Sequence, residues 1–455
     1  MAAVQFAYAY PFESAVTTDS GRPRLRLATC SAPEEHPYFY SGALVRPPVA
    51  SEALLAVARV ARTRYYVPPA MLNRILLAAD PVVTADGARL RFESFSACCG
   101  VYARADLLPE AIDGAFASHG TTNVDFNQPM RAALASLGGG REQAGLNVGA
   151  DAVELERLSG KVVERKVSLP VRWLKGFVEV QAYASRLKFV RELPGPEARR
   201  FLASVPNQVK ARDRAWLVVG GRQLRLSRTP SRDAIEVGGI GRLQALKTLA
   251  RHAKTLRIYG AEGTAASGWE LDFGDSRLQL ILSPDASRGF SGEGQVLEVL
   301  ARKDADTALA KVRAALAWQP VLTPEYLAAQ LGGDADAAAG ALAALGSHGL
   351  VGYDLAEGAW FHRVLPFDME AVEKLHPRLV NARKIVAAGA LKILNADPGK
   401  AEADVEGTDT IHKVRETEAG FTCTCPWYTD KAGEAGPCKH VLAVQIALEE
   451  REDGA

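Results

Sequence analysis

Cys423 and Cys425 are separated by one residue, and after twelve more residues Cys438 and His440 repeat that spacing. Thiolate sulfur and imidazole nitrogen are the donors that suit zinc. Residues two apart on a strand point to one face, so Cys423 and Cys425 can offer two sulfurs to one ion. Cys438 and His440 stand at the mouth of a predicted helix whose apolar Val441, Val444 and Leu448 follow an i, i+3, i+7 pattern. Three sulfurs and one nitrogen fill a tetrahedral sphere and leave no position for an activated water, which points to one structural zinc ion. In so short a segment the apolar core is small, and zinc binding, worth about 10–16 kcal/mol in finger peptides, supplies much of the folding free energy. Two other readings of these residues stay open: four unrelated side chains, and a redox dithiol at Cys423 and Cys425.

The flanking residues carry a family resemblance. Phe421-Thr-Cys423-Thr-Cys425-Pro-Trp427, followed by Gly436-Pro437-Cys438-Lys439-His440-Val441-Leu442, resembles the SWIM-type zinc finger over residues 405–448, with His412 where that motif's preceding strand lies. The stretch from Gly349 through Tyr353-Asp354 and Phe361-His362-Arg363 to Asp368, and the Gly-rich Arg288 to Gly294, are similar to the long bacterial SWIM zinc-finger proteins. The resemblance implies a module that binds DNA or protein, and a setting that includes a MoxR-type AAA+ ATPase and a von Willebrand A-domain protein as partners.

A chain of 455 residues exceeds one ordinary domain, and 48% apolar with 24% charged side chains excludes wholesale disorder. The pattern predicts an α+β, multidomain protein. Residues 1–150 form an N-terminal α+β domain, with short β-like runs (Arg24 to Ala28, Arg89 to Phe95) and an amphipathic stretch, Ser51 to Val60. Residues 151–290 form a second α+β domain: strands at Trp216 to Val219, Arg222 to Leu226 and Leu256 to Tyr259, a helix over Leu243 to Ala253, and a hairpin around Gly274-Asp275. Residues 291–368 hold a helical segment and a winged helix. Thr323-Pro324-Glu325 supplies a cap, a first-position proline and a first-turn acid, and Asp334 caps the second helix. Residues 369–400 form a connecting helix, and 401–455 the zinc module. No apolar run reaches membrane-spanning length, and Met1 to Ser14 lacks the basic and apolar regions of a leader, so a cytoplasmic protein without membrane contact is expected.

The whole-chain charge of +1 gives no hint of a polyanionic partner, so local charge decides. From Lys161 to Gly260 there are 22 Lys plus Arg against 7 Asp plus Glu, interleaved with Trp173, Phe177, Tyr183, Phe189, Trp216 and Tyr259. Such a segment could pair phosphate contacts with base stacking, or could equally be solvated strand faces over buried aromatics. Residues 401–455 carry 5 basic against 12 acidic side chains, and the candidate recognition helix Asp334 to Ser347 has two Asp and no Lys, Arg, Asn or Gln. Both features disfavour DNA and favour protein contact, although Lys413, Arg415, Lys431 and Lys439 could share one small basic face. The expected function is therefore a zinc-binding, non-enzymatic adaptor with no catalytic or cofactor-binding residues. The alternative is a DNA- or RNA-binding protein using the 161–260 segment and the zinc module.

Enzymatic readings rest on weaker patterns. Gly238-Gly239-Ile240-Gly241-Arg242 and Gly289 to Gly294 each precede a helical pattern but match no phosphate-binding fingerprint. Cys98-Cys99 with His119 and Asn123 could be imagined as a nucleophilic pair, but adjacent cysteines in a β-like run are more often packed thiols.

Overall fold

The computed structural model describes residues 15–19, 22–26, 38–65, 81–139, 142–167, 169, 171–206, 214–220, 223–232, 234–284, 289–292, 294, 297, 312–365, 376–408, 410–418, 420–431 and 436–452. Over these residues the chain is a mixed α+β protein built on several antiparallel sheets. A hairpin, β1 (Ala15–Asp19) and β2 (Arg22–Arg26), precedes a five-stranded sheet of order β11-β10-β9-β3-β7. Its strands are β3 (Tyr40–Leu44), β7 (Ile112–Phe116), β9 (Ala144–Val148), β10 (Ala152–Arg157) and β11 (Gly160–Arg165). An eight-stranded sheet has the order β12-β16-β17-β18-β6-β5-β4-β8. One half is β4 (Val82–Ala85), β5 (Leu90–Phe95), β6 (Val101–Leu107) and β8 (Gly120–Asn123). The other is β12 (Lys188–Pro194), β16 (Thr255–Gly260), β17 (Ser267–Asp272) and β18 (Ser276–Leu282), and the halves meet where β6 pairs with β18.

That junction corrects the expected domain division. Residue 150 lies between β9 and β10, which pair with each other, and one sheet draws strands from both sides of it. A single hydrophobic cluster runs from Phe39 to Leu282. Hydrogen bonds between strands far apart in the chain override a boundary read from a loop-like Gly-Gly-Gly.

Alternation gives the large sheet two unlike faces. Phe92, Ala103, Leu280, Leu271 and Ile258 look toward α1 (Pro47–Arg62), whose prolines open it as expected for a first helical turn, and toward α4 (Gly195–Ser204). Phe201 of α4 stacks on Trp269 at 5.7 Å. Two further helices, α2 (Gln128–Leu137) and α3 (Val171–Ala184), flank the sheets. The opposite face carries charge in register: Glu93, Arg104, Gln279, Glu270, Arg257 and Glu192 stand side by side across six strands, with Arg91, Asp106, Arg277 and Asp272 in the next row. The helix expected over Leu243 to Ala253 is broken into α5 (Gln244–Lys247) between 3-10 turns, beside a three-stranded sheet of β13 (Arg214–Gly220), β14 (Gln223–Ser227) and β15 (Ile235–Gly238).

The charged face is covered by a helix–helix–hairpin unit: α6 (Pro324–Leu331), α7 (Ala335–Ser347), β19 (Val351–Asp354) and β20 (Ala359–His362). Thr323 and Asp334 cap the two helices, their side chains accepting from the N–H groups of Tyr326 and Ala337. The hairpin lies face down. Asp354 meets Arg91 at 2.8 Å and Arg104 at 2.9 Å, Glu357 meets Arg277 at 2.8 Å, Arg363 pairs with Glu93, and the Arg91 guanidinium sits 3.9 Å over the Phe361 ring.

The C-terminal segment opens with α8 (Pro377–Ala387) and a four-stranded sheet in chain order: β21 (Leu391–Asn395), β22 (Glu402–Glu406), β23 (Ile411–Thr417) and β24 (Gly420–Cys423). Two helices follow, α9 (Pro426–Lys431) and α10 (Lys439–Glu452). The sheet thus begins at Leu391, inside the expected connecting segment. The helical pattern expected after Gly294 and the start of that segment's helix fall partly outside the described residues, as does Cys30, while the helix stops at Ala387. Among the described residues no helix is long and apolar enough to cross a membrane.

Candidate metal centre

Strand alternation sets Val414 and Cys423 opposite each other on the inner side of β23 and β24. Cys425 follows two residues on, just before Pro426 starts α9, while Cys438 and His440 bracket the start of α10. Four donor atoms converge: one from each of Cys423, Cys425, Cys438 and His440, all within 4.8 Å of one another. All four residues are buried. The His440 Nδ1 lies 3.8 Å from the Cys423 Sγ and 4.0 Å from the Cys438 Sγ. A tetrahedral zinc, with bonds of about 2.3 Å to sulfur and about 2.0 Å to nitrogen, places its donors roughly 3.5–3.8 Å apart. The donor set, its spacing and its seclusion fit one zinc ion, with His440 binding through Nδ1.

Backbone amides support the sulfurs. The N–H groups of Cys425, Tyr428 and Val441 each lie 3.4 Å from the Sγ of Cys423, Cys425 and Cys438 respectively, the polar surroundings a thiolate requires. The Cys438 thiol is pushed down to about 4 because Cys423 donates to it, with His440 and the Val441 N–H adding to the effect. Cys423 moves up, chiefly through that same hydrogen bond and then through burial. The Gly-Pro turn before Cys438 is held from α8: Arg378 donates to the Pro437 carbonyl at 2.9 Å and lies 4.6 Å over the Trp427 ring.

His412 is no fifth donor, but its ring sits 4.5 Å from that of His440. Its place was readable from alternation, since it shares the inner side of β23 with Val414. Sequence reasoning missed Arg378, whose role depends on a contact 59 residues away. Two residues of the expected basic face have acidic neighbours. Lys413 and Arg415 stand opposite Asp404 and Glu402 on the outer side of the sheet, with Arg415 bound to Glu402 at 3.2 Å.

The other candidate residues are placed apart. Trp173, Phe177, Tyr183 and Tyr259 are core side chains, packed with Phe95, Tyr102 and Phe290, so four of the six aromatics in the basic segment cannot stack on bases. Phe189, 60% exposed, and the half-buried Trp216 reach the surface. The glycine loop 238–242 closes around its own arginine, Arg242 donating to the carbonyls of Gly238 at 2.6 Å and Ser283 at 2.7 Å. Cys99 and His119 do not meet: Cys99 contacts the Arg172 carbonyl at 3.7 Å, and His119 stacks on Trp318. Burial pushes the Cys99 thiol up to about 12. We expect iodoacetamide to label Cys98 in the native protein and Cys99 only after unfolding, read by peptide mass spectrometry. Native labelling of Cys99 ahead of Cys98 would restore the nucleophile reading.

No protein-family model matches the chain, and no curated protein matches it. Among solved structures, 55% of the chain is similar to 99% of Proliferating Cellular Nuclear Antigen from Entamoeba histolytica, at 10% identity and a TM-score of 0.36. A further 54% match covers 98% of the chain in the C-terminal region of FEN-1 bound to A. fulgidus PCNA, at 11% identity and a TM-score of 0.34. At these scores neither likeness bears on what this chain does.

Proposed function

We propose that the chain is a non-enzymatic adaptor that docks a protein partner through a SWIM-type zinc module and a winged helix, with a MoxR-type AAA+ ATPase or von Willebrand A-domain protein as the partner. The observation that carries the reading is the surface of the helix–helix–hairpin unit. Residues 314–362 hold five acids and no Lys or Arg. Asp354 and Glu357 are spent on the sheet, which leaves Glu325, Asp334 and Asp336 beside Val321, Tyr326 and Leu331, each 39–43% exposed. Exposed apolar side chains among acids, with no cation, repel a polyanion and suit a protein surface. The buried wing also supports the reading, because a wing packed on the chain's own sheet cannot lie along a groove. The four donors close the coordination sphere, so the metal's part is to order the module.

Affinity capture of the tagged full chain, with a MoxR-type ATPase co-expressed, tests this. Retention should survive nuclease and roughly 0.5 M salt, where charge screening acts within a few ångströms, and should be lost in Cys423→Ser. Recovery of nucleic acid that salt releases, with no ATPase, would favour the nucleic-acid reading through the basic 161–260 segment instead.

A further inference from the structure

The helix–helix–hairpin unit has its own core, in which Leu322, Leu327, Leu342, Leu345, Val351 and Trp360 pack together. Its attachment to the large sheet is mixed: Leu355 joins an apolar cluster with Leu187 and Tyr259, and ion pairs lie beside it. The Asp354 carboxylate sits among Arg91, Arg104 and Arg277, and its Oδ1 also accepts from the Ala356 N–H at 3.1 Å. Next to this clamp the seam is poorly satisfied. Glu270 is fully buried, with Oε1 bound to Arg257 at 3.1 Å and Oε2 without a hydrogen-bond partner. Its register partner Gln279, 1% exposed, has neither amide atom bonded, and Oδ1 of Asp106 is also unmatched. Leu355, the residue after Asp354, lies against Gly268 two positions along the strand from Glu270, and Asp354 of the same hairpin acts on the Glu270 carboxyl. Buried polar atoms without partners favour any state that admits water to them.

We propose that the unit is a releasable cap whose seating on the sheet depends on Glu270 keeping its proton: neutral, the seam closes over it; ionised, the charge demands water and the hairpin lifts. The groups facing Glu270 are Asp354 from the hairpin, Arg277 and Gln279 from β18, Arg104 from β6, and Arg257 and Tyr259 from β16. Burial raises its pKa most, Asp354 adds to that, and the three arginines oppose; the carboxyl is pushed up to about 8 from 4.5. In the lifted state it returns toward the ordinary value. Below pH 4.5 both states hold the Glu270 proton, and the balance there passes to Asp354, which takes up a proton more readily once lifted from its arginines. As pH rises from 4.5 toward 8 the closed state retains a proton that the open state sheds, and the open-to-closed ratio climbs with it. The closed cap is the state in which the wing is buried, and so the state the adaptor reading describes.

Hydrogen exchange of the full chain at pH 6 and pH 9, corrected for intrinsic rates, tests it. Amides of residues 351–362 should lose protection at least tenfold on going to pH 9, while β6 and β18 keep theirs. Glu270→Gln, or Glu270→Met should Gln not fold, should hold the hairpin protected at both pH values. Unchanged hairpin protection in the wild type, the same pH response in a neutral variant, or equal loss across β6 and β18 would each overturn the cap.

Discussion

Replacing Cys423 by Ser is expected to take the zinc content from one equivalent to none and to open residues 391–452 to protease. The binding free energy at stake is about 10–16 kcal/mol by analogy with finger peptides, larger than the whole stability of most domains. The core left behind is thin: Ala403, Val405, Val414, Val441 and Val444 around the ligands themselves. The damage should travel further than the four-stranded sheet. Leu442, Ala443 and Ile446 on the other side of α10 pack with Leu379 and Ala382 of α8 and with Val178 of α3, so α8 should fray with it while the eight-stranded sheet stays resistant. Metal analysis with limited proteolysis reads both. A variant that keeps one equivalent of zinc and the native digestion pattern would show that the four residues are not the site.

The second large effect belongs to Asp354. Arg91, Arg104 and Arg277 surround it, and Asp354, Arg91 and Arg104 are at most 1% exposed. The clamp holds its carboxyl well below the usual range against the opposing effect of burial. Asp354→Asn preserves shape but removes the carboxylate the three arginines share; Arg91 and Arg104 keep Asp106 and Arg277 keeps Glu357, so the cost should fall at the lower end of about 3–5 kcal/mol. Urea unfolding followed at the hairpin should show that loss at pH 7. A change within about 0.5 kcal/mol, the range of an ordinary surface substitution, would mean the clamp is hydrated and inconsequential.

Much of the local structure was legible in the sequence. The two C-x-[CH] pairs named the four residues whose donors converge because ligand type and spacing are local, and Thr323, Asp334 and the Gly274-Asp275 turn marked elements by chemistry acting over three or four residues. What stayed hidden was long-range. Arg91, Glu93, Arg104 and Glu270 sit at alternate positions of apolar strands, and alternation says that the two faces differ, not which is covered. A second layer buries them here, supplied by a hairpin some 80 to 260 residues further on. The same ambiguity concealed the aromatics, since basic residues beside Trp173 and Phe177 read as a surface until α3 is seen packing them on Phe95.

The pairing of β6 with β18 also sets a schedule for synthesis. When β4, β5 and β6 leave the ribosome, the inner edge of β6 has no neighbour until residues 108–275 have followed. At ordinary elongation rates that interval is roughly 10–30 s. For its duration a seven-residue strand, paired with β5 on one edge, faces solvent or whatever chaperone holds it with the amides and carbonyls of the other. Fragments ending between residues 110 and 275 should accordingly aggregate, and the chain's solubility during production depends on how quickly its own distant strand arrives.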